Sequence, residues 1–464
     1  MNDSPTDPLS RHSGHHHVAG RPADGSQSSV VSRRWGILAF LMLIAFMAHF
    51  NRMSISVAGT ERLMSQYGFT TTQMGFVYSS FILMYTMFMT PGGWLIDRVG
   101  AVRALAIMGF SFALLEALSG AVSLFPVSSS VLAGLIVIRG IAGISSCPLH
   151  PGASRVVSRW MPLAEQPLAN GLVTAAALLG ISSTYYLFGW LMDEFGWPQA
   201  FVIAGVMMLV VISAWRLFAT EFPPSEQIEV LPDAAGLHAA AKSGPASTLS
   251  STLELLKDRN LVCLTISYSA VGYFQFVFFY WIEHYYSDTL HLDEKTSRTY
   301  STISLLSMAV GMFLGGYLIR HLSRYRMPIS PLALVPIMGL LISAICVLFG
   351  GYSREPNVVL FWFMLALAGI GMCEGPMWTI AVRSGRQHGG TAAGIFNTGG
   401  NSGGIIAPVL TPHIGEQFGW DKSLWIASAF CIFGAIMWIW IDAEDKPESS
   451  ADASPDTDRV TPNS

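Results

Sequence analysis

Twelve apolar segments of about twenty residues each constrain the fold of this 464-residue chain more than any other feature. An α-helix rises 1.5 Å per residue, so about 20 apolar residues cross the roughly 30 Å hydrocarbon core of a bilayer. The predicted spans are 35–58, 73–96, 102–124, 131–154, 168–190, 198–219, 259–285, 300–319, 328–350, 357–382, 391–413 and 420–441. With 52% hydrophobic and only 12% charged residues, the chain is too apolar for a soluble protein. The sequence therefore predicts an all-α membrane protein with twelve transmembrane helices.

A polar internal segment divides the predicted spans into two groups of six. Residues 220–258, which include Pro223, Pro224 and an Ala/Ser-rich stretch, are predicted to form a cytoplasmic linker. The flanking predicted domains are two six-helix bundles, 33–219 and 259–442. Polar, Pro-, Gly- and Ser-rich composition predicts disordered cytoplasmic tails at 1–32 and 443–464.

The distribution of lysine and arginine predicts the orientation. Most of these residues fall in segments on the side of the two termini, and short cytoplasmic loops collect basic residues. We therefore expect an integral, multi-pass protein of the inner (plasma) membrane with both termini in the cytoplasm. The net charge of −4 gives no indication of a nucleic-acid partner.

Three short segments recur at a constant offset of 223 residues. PGGWLIDRVG (91–100) matches LGGYLIRHLS (314–323), DEFGWPQAF (193–201) matches EQFGWDKSL (416–424), and ANGL, which begins at 169, matches AAGI, which begins at 392. A constant offset across separated segments predicts duplicated, pseudo-symmetric halves. In transporters built this way, substrate binds near the middle of the membrane between the halves.

Two arginines lie inside predicted spans, and both are candidate substrate ligands. Arg52 lies in the first span and Arg139 in the fourth. A guanidinium group within a bilayer is costly and suits a carboxylate, which it can bind with two hydrogen bonds. Snorkelling to the interface and a structural pair with an intramembrane acid are the alternatives. Glu116 in the third span is interpreted as an interhelical contact.

Polar side chains in three other spans are further candidates for substrate binding. Amide groups can donate and accept hydrogen bonds to hydroxyls, and tyrosines present a polar tip on an apolar ring. Helix–helix hydrogen bonding, core packing and the interfacial aromatic belt are the alternatives for these residues. The candidates are Tyr85, Tyr273, Tyr280, Asn397 and Asn401.

A charged loop after the second span resembles the signature loop of the major facilitator superfamily. The stretch GGWLIDRVGAVR (92–103) combines a glycine-rich helix end with charges that could latch one conformation. Simple positive-inside anchoring is the alternative. The gating-loop candidates are Gly93, Asp97, Arg98, Gly100 and Arg103. In the second half, Arg320 and His321 occupy the positions of Asp97 and Arg98, so the latch is predicted on one half only.

Five stretches in both halves narrow this resemblance: NRMSISVA (51–58), PGGWLIDRVG (91–100), RGIAGISSCPLHPGASRVVSRWMP (139–162), FFYWIEHYY (278–286) and GIFNTGGNSGG (394–404). Within that superfamily they resemble the anion:cation symporters, which include bacterial sugar-acid carriers and vesicular glutamate and sialic-acid transporters. The resemblance implies the major facilitator fold. It also implies that Arg52 and Arg139 lie beside the carboxylate of the substrate, and that Tyr85 matches a family tyrosine.

Two positions depart from the pattern of the proton-coupled relatives. Asn51 and Ser146 stand where those relatives usually carry acids, and neither side chain can titrate. Either the coupling site has moved or coupling is absent. Other titratable residues in or near the spans are candidates for a relocated site, with Glu374 placed first. The others are Glu283, His284, His150 and His49.

Together these features predict a secondary active transporter that moves a small organic anion, such as a sugar acid, by alternating access. Cation-coupled import with a proton or sodium ion is expected, and uniport or exchange is the alternative. A phosphate-ester or inorganic-anion carrier would use the same arginines, and a non-transporting membrane sensor is an alternative of another class. The sequence carries no enzyme motif and predicts no cofactor or metal. We expect a monomer that contacts only the lipid bilayer and its small solutes.

Overall fold

The computed structural model describes residues 24–162, 165–222, 249–385 and 389–443, and this part of the chain is helical without a β-strand. Six long helices form the N-terminal bundle. They are α1 (Asp24–Ala58), α2 (Thr71–Val99), α3 (Ala101–Ala121), α4 (Ser128–Ser146, continued by Leu149–Trp160), α5 (Gln166–Phe195) and α6 (Trp197–Phe218).

Six more helices form the C-terminal bundle. They are α7 (Arg259–His284), α8 (Glu294–Leu322), α9 (Pro331–Tyr352), α10 (Pro356–Ser384), α11 (Gly389–Phe418) and α12 (Trp420–Met437). The twelve predicted spans all correspond to these helices. The predicted tails and linker lie largely outside the described residues, although α1 begins at Asp24 and a short helix covers Leu249–Leu255.

Ten of the helices are long and apolar enough to cross a membrane by length and composition. The remaining two, α2 and α11, have 29 and 30 residues, but their serine, threonine, glycine and amide side chains make them less apolar. Large apolar side chains such as Leu114, Val137 and Phe313 point outward and are more than half exposed. A surface of this kind is stable only against lipid, so the chain is an integral multi-pass membrane protein.

The two bundles repeat each other in the positions of their helix ends. Adding 223 to the residue numbers that bound α2 gives the bounds of α8, and adding 223 to the bounds of α5 gives those of α11. The bundles meet where α2 packs on α11 and where α5 packs on α8, so the two contact areas are themselves related by the repeat. The predicted arrangement of two pseudo-symmetric six-helix bundles is therefore confirmed.

Because successive helices run in opposite directions, the ends of the helices define two faces of the molecule. The Asp97 face contains the loop between α2 and α3, and the Arg298 face contains the start of α8 and the ends of α1 and α5. At the Arg298 face, α1 and α7 both end in a π-helical turn, Gly59–Leu63 and Tyr285–Thr289. π-Helical turns are rare and frequently mark functional positions.

Glycines permit the closest approach between the bundles. A Cβ atom at Gly75 of α2 would overlap the carbonyl oxygen of Pro408 in α11. Nearby, the Ser79 hydroxyl donates a hydrogen bond of 2.8 Å to the carbonyl oxygen of Ile405. These contacts bring the backbones of α2 and α11 together close to the Arg298 face.

Candidate functional site

Arg52 lies near the middle of its span and has no carboxylate partner among the described residues. Its Nε and Nη2 atoms are buried, and neither makes a hydrogen bond to the described part of the protein. Aromatic rings surround the group instead: Cζ is 5.0 Å from the ring centre of Phe81, 5.9 Å from Tyr85 and 5.3 Å from Phe276. Ring faces attract a cation, but they do not satisfy its N–H donors. The Tyr280 hydroxyl also faces the group, but no described residue supplies a negative charge that compensates it.

A small cleft opens beside this guanidinium group. Helix α4 breaks between Ser146 and Leu149, where Pro148 follows Cys147, and the break places His150 at the edge of the cleft. The rings of His49 and His150 lie 5.3 Å apart there. The cleft is lined by Ala48, His49, Arg52, Phe81, Tyr85, Ser146, Leu149 and His150.

Arg139 occupies a different environment. Only 1% of it is exposed, and its Nη1 lies 3.5 Å from Oε2 of Glu116 on α3. Arg139 also donates hydrogen bonds to the Asn51 carbonyl oxygen (3.0 Å) and the Ser54 hydroxyl (3.1 Å), and Ser54 donates to Glu116 (2.5 Å). This ion pair ties α1, α3 and α4 together, and it favours the structural pair that was the alternative considered for Arg139. Substrate binding by Arg139 stays an untested prediction. Glu116 makes the interhelical contact that the sequence predicted.

The predicted amide ligands lie at the contact between the bundles. The Nδ2 atoms of Asn397 and Asn401 on α11 lie 3.5 and 3.7 Å from Sδ of Met89 on α2. A thioether sulfur is a weak acceptor, so both amide groups keep most of their hydrogen-bonding capacity. Asn397 and Asn401 therefore remain predicted substrate ligands.

The three predicted tyrosines separate into different environments. Tyr85 faces Arg52 in the cleft. Tyr280 stacks on Tyr78 of the other bundle with ring centres 4.6 Å apart, and its hydroxyl faces Arg52. Tyr273 is buried inside the C-terminal bundle, where it contacts Thr411 (3.2 Å) and stacks on Phe430 (4.3 Å). The position of Tyr273 indicates core packing, which was the alternative considered for it.

Glu374 and His284, two candidates for coupling, have partners within the C-terminal bundle. Glu374 accepts hydrogen bonds from Tyr268 (3.0 Å) and Gln275 (2.5 Å), which satisfy both of its oxygens. His284 packs against Trp420, with ring centres 4.8 Å apart, and approaches Asp288. Neither residue lines the cleft at Arg52, so their part in coupling stays an untested prediction.

Charged residues from three helices join the bundles at the Arg298 face. Arg298 of α8 binds both carboxylate oxygens of Glu61 at the end of α1, at 2.6 and 2.5 Å, and also contacts Asp193 of α5. Arg62 bridges Asp193 (2.9 Å) and Glu294 of α8 (2.7 Å). We call these five residues the Arg298 cluster.

The repeat extends to this closed face. Asp193 and Glu416 are separated by the 223-residue offset, and each contacts the N-terminal part of a helix in the opposite bundle. Asp193 meets Arg298, whereas Glu416 accepts hydrogen bonds from Thr71 (2.5 Å) and Thr72 (3.1 Å) at the start of α2. The repeated DEFGW and EQFGW segments therefore include two equivalent contacts between the bundles.

At the Asp97 face, the predicted gating loop forms contacts within the N-terminal bundle. Asp97 pairs with Arg155 at the end of α4, and Arg98 lies 3.5 Å from the ring centre of Trp94. Gly93 has open space around it, while the neighbouring Gly92 lies directly against Cys147. The close helix approach expected for these glycines therefore belongs to Gly92. Arg103 is exposed.

The carboxyl group of Glu221 lies directly against Gly100, a contact that the sequence analysis missed. Gly100 has a φ of +89°, and a Cβ atom there would lie 2.9 Å from the Glu221 carboxyl group. That carboxylate accepts hydrogen bonds from the backbone N–H groups of Ala101 (2.8 Å) and Val102 (2.9 Å) and pairs with Arg159. An acid at the N-terminus of α3 is favourable because of the exposed N–H groups there. Glu221 follows α6 in sequence, so only the packing reveals this contact.

Two pseudo-symmetric six-helix bundles, with a buried arginine beside a cleft in the N-terminal bundle, are the arrangement of a twelve-helix membrane carrier. The family model described as "Major Facilitator Superfamily" matches residues 41–408 and again 334–461. The chain belongs to this superfamily, which is a family of transporters and not of enzymes.

Curated relatives match over nearly the whole chain. A D-galactonate transporter of Escherichia coli is 26% identical over 428 residues, which cover 89% of this chain and 96% of the relative. A probable sulfoacetate transporter of Cupriavidus necator is 24% identical over 91% of this chain and 97% of the relative. Among solved structures, a bacterial homologue of the lysosomal transporter Spinster superposes with a TM-score of 0.69 at 15% identity. That match covers 88% of this chain and 96% of the other, and it supports the fold.

Proposed function

We propose that this protein transports a small organic anion, with sugar acids as the leading class, by alternating access between its two bundles. The observation that carries the proposal is Arg52, a mid-membrane guanidinium with two buried nitrogens and no carboxylate partner in the described protein. An anion with a planar carboxylate would satisfy both nitrogens and neutralise the charge. The match to a D-galactonate transporter supports the same substrate class.

In this proposal the substrate carboxylate binds Arg52, and the polar groups around the cleft contact its hydroxyls. Tyr85 and His150 lie on the N-terminal side of that space, and Asn397 and Asn401 are candidates from the C-terminal side. Arg139 serves instead to hold α1, α3 and α4 together through Glu116.

The orientation and the conformation are further parts of the proposal. With both termini cytoplasmic in the inner membrane, the Arg298 cluster lies on the outer side. The cluster and the Tyr78–Tyr280 stack then close the site toward the outside, which corresponds to an inward-facing state. A single chain contains both contacts between bundles, which is consistent with a working monomer.

The test is a thermal-stability screen of purified protein with D-galactonate, D-glucarate, phosphate and neutral D-galactose. A ligand at 100 times its dissociation constant stabilises the folded protein by about 2.7 kcal/mol. We expect stabilisation by the carboxylated sugars in the wild type, loss of that stabilisation in Arg52→Gln, and no stabilisation by D-galactose. Arg320→Gln, which removes an exposed arginine at the end of α8, is the matched control and should bind as the wild type does. Equal stabilisation of wild type and Arg52→Gln would contradict the proposed site.

A sulfonate is the second candidate substrate, because a probable sulfoacetate transporter matches over nearly its whole length. Sulfoacetate presents both a carboxylate and a sulfonate, and either group could accept hydrogen bonds from Arg52. Adding sulfoacetate to the same screen separates the two candidates. Stabilisation by sulfoacetate and by no sugar acid would favour this second function.

A further inference from the structure

Glu283 of α7 is a buried carboxyl group that the proposed substrate site does not use. Only 1% of it is exposed, and neither of its oxygens makes a hydrogen bond within the described protein. An ionised carboxylate left without donors in such a place is strongly unfavourable. A protonated carboxyl group lowers this penalty because it is neutral and can donate its O–H.

The nearest acid to Glu283 belongs to the other bundle. Glu61, the member of the Arg298 cluster that lies on the π-helical turn at the end of α1, faces Glu283. The side chain of Glu61 is only 3% exposed. Both oxygens of Glu61 already accept hydrogen bonds from Arg298, at 2.6 and 2.5 Å, so Glu283 is the member of the two that lacks donors. Two carboxyl groups in direct proximity cannot both ionise easily, and a shared proton satisfies both of them.

The other charged and titratable groups facing Glu283 do not remove the need for a proton. They are Tyr78 of α2, Tyr185 of α5, and Glu294 and Arg298 of α8. Tyr185 donates its O–H to the carbonyl oxygen of Phe279, and Arg298 is engaged by Glu61 and Asp193. The Tyr78 hydroxyl makes no hydrogen bond within the described residues, so it does not donate to Glu283 here. The cluster together with Glu283 contains four carboxyl groups and two guanidinium groups, so bound protons reduce an excess of negative charge.

We propose that Glu61 and Glu283 together bind one proton, and that this carboxyl pair is the proton-coupling site of the carrier. Binding converts the Glu283 carboxylate into a carboxylic acid, whose O–H donates to the Glu61 carboxylate. The two residues belong to different bundles, so the pair forms and takes up its proton from the outer solution as the Arg298 face closes. For symport, the proton must then leave toward the cytoplasm before that face opens again. The proton therefore stabilises the state closed at this face.

A metal ion is a less suitable occupant of this place. Carboxylate oxygens of Glu61, Asp193 and Glu294 do lie within 4.8 Å of one another. However, Arg62 and Arg298 already bind all three of these carboxylates, and their positive charges oppose a cation. A proton needs only the Glu61–Glu283 contact.

Infrared difference spectroscopy on the purified full-length protein, without any substrate, tests the proton itself. We expect the wild-type minus Glu283→Gln spectrum at neutral pH to show the C=O stretching band of a protonated carboxylic acid. In the wild type this band should disappear as the pH is raised.

Glu61→Gln removes the partner and should shift or abolish the same band, which provides a second variant if Glu283→Gln folds poorly. Glu355→Gln, an exposed acid before α10 on the same face, should leave the band unchanged. A wild-type spectrum without a band assignable to Glu283 at any pH would overturn the proposal.

The coupling role rests on the proposed anion transport, so it is measured separately in proteoliposomes with D-galactonate. We expect Glu283→Gln to keep exchange of labelled for unlabelled D-galactonate but to lose accumulation driven by a pH gradient. Persistent gradient-driven accumulation in Glu283→Gln would overturn the coupling role. If the wild type neither binds nor exchanges any anion, the proposed function fails, whereas the infrared band still decides whether the carboxyl pair binds a proton.

Discussion

Arg298 and Glu61 form a bidentate ion pair across the two bundles, with Nε to Oε1 at 2.6 Å and Nη2 to Oε2 at 2.5 Å. The side chains are only 5% and 3% exposed, so this pair is shielded from solvent. An ion pair in this position exists only while the Arg298 face is closed. It therefore links an electrostatic interaction directly to the conformation of the carrier.

Arg298→Gln should shift the conformational equilibrium toward opening of the Arg298 face. Removing one partner of a buried ion pair typically costs about 3–5 kcal/mol, and Glu61 regains solvent when the face opens. Spin labels at Ser65 and Lys295, two exposed positions on opposite sides of the contact, should show an additional population at a longer label-to-label distance. Arg354→Gln, which removes an exposed arginine from the same face, serves as the control. An unchanged distance distribution in Arg298→Gln would refute this role.

Arg139 and Glu116 should behave as one structural unit. Each single change, Arg139→Met or Glu116→Leu, leaves a buried charge unpaired and should lower the free energy of unfolding by about 3–5 kcal/mol. The double variant should recover most of this loss, because an apolar pair of similar volume replaces the ions. Thermal unfolding in detergent measures all three proteins. If Arg139 instead binds substrate, the double variant would be stable but would no longer respond to sugar acids.

Three glycine substitutions should have different consequences. At Gly75, Ala would overlap Pro408 of the other bundle, so Gly75→Ala should disfavour closure without unfolding either bundle. At Gly272, Ala would overlap the Gly400 carbonyl oxygen within the C-terminal bundle, so Gly272→Ala should lower the melting temperature.

Gly316→Ala is the matched control, because no atom of the described residues lies within 4 Å of the added methyl group. Alanine favours a helix over glycine by about 1 kcal/mol, so this variant should be as stable as the wild type or slightly more stable. Melting temperatures together with label distances across the Arg298 face separate the three effects. A lower melting temperature for Gly316→Ala would contradict the packing described for α8.

Glu374→Gln should retain proton-driven transport. Glu374 already accepts hydrogen bonds from Tyr268 and Gln275, and an amide can preserve at least one of them. We expect at most a decrease of about 1–2 kcal/mol in the free energy of unfolding, from the changed hydrogen bonds. Accumulation of D-galactonate under a pH gradient measures the coupling. Its complete loss in Glu374→Gln, with Glu283→Gln unaffected, would transfer the coupling site to α10.

The architecture could be predicted from the sequence because it depends on local and periodic properties. Apolar runs of sufficient length must form helices in a bilayer, since every backbone group has to be satisfied internally. The 223-residue repeat likewise predicted equivalent halves, and the bounds of α2 and α8 reproduce that offset. Arg52 could be predicted as a site residue because a charge within an apolar run is also a local property of the sequence.

The partners of the charged residues were decided only by the tertiary structure. Arg52 and Arg139 look alike in sequence, yet packing places Glu116 against Arg139 and aromatic rings around Arg52. Glu283 and Glu374 are similarly indistinguishable in sequence, but in the described part of the structure Glu374 has two donors and Glu283 has none. The bilayer determines the depth at which each helix lies in the membrane. The rotation of each helix about its axis, and the contacts it makes, depend instead on residues far away in the chain. For that reason the sequence determined the spans and the charge at mid-membrane, whereas the fold decided which charges are neutralised and which stay available.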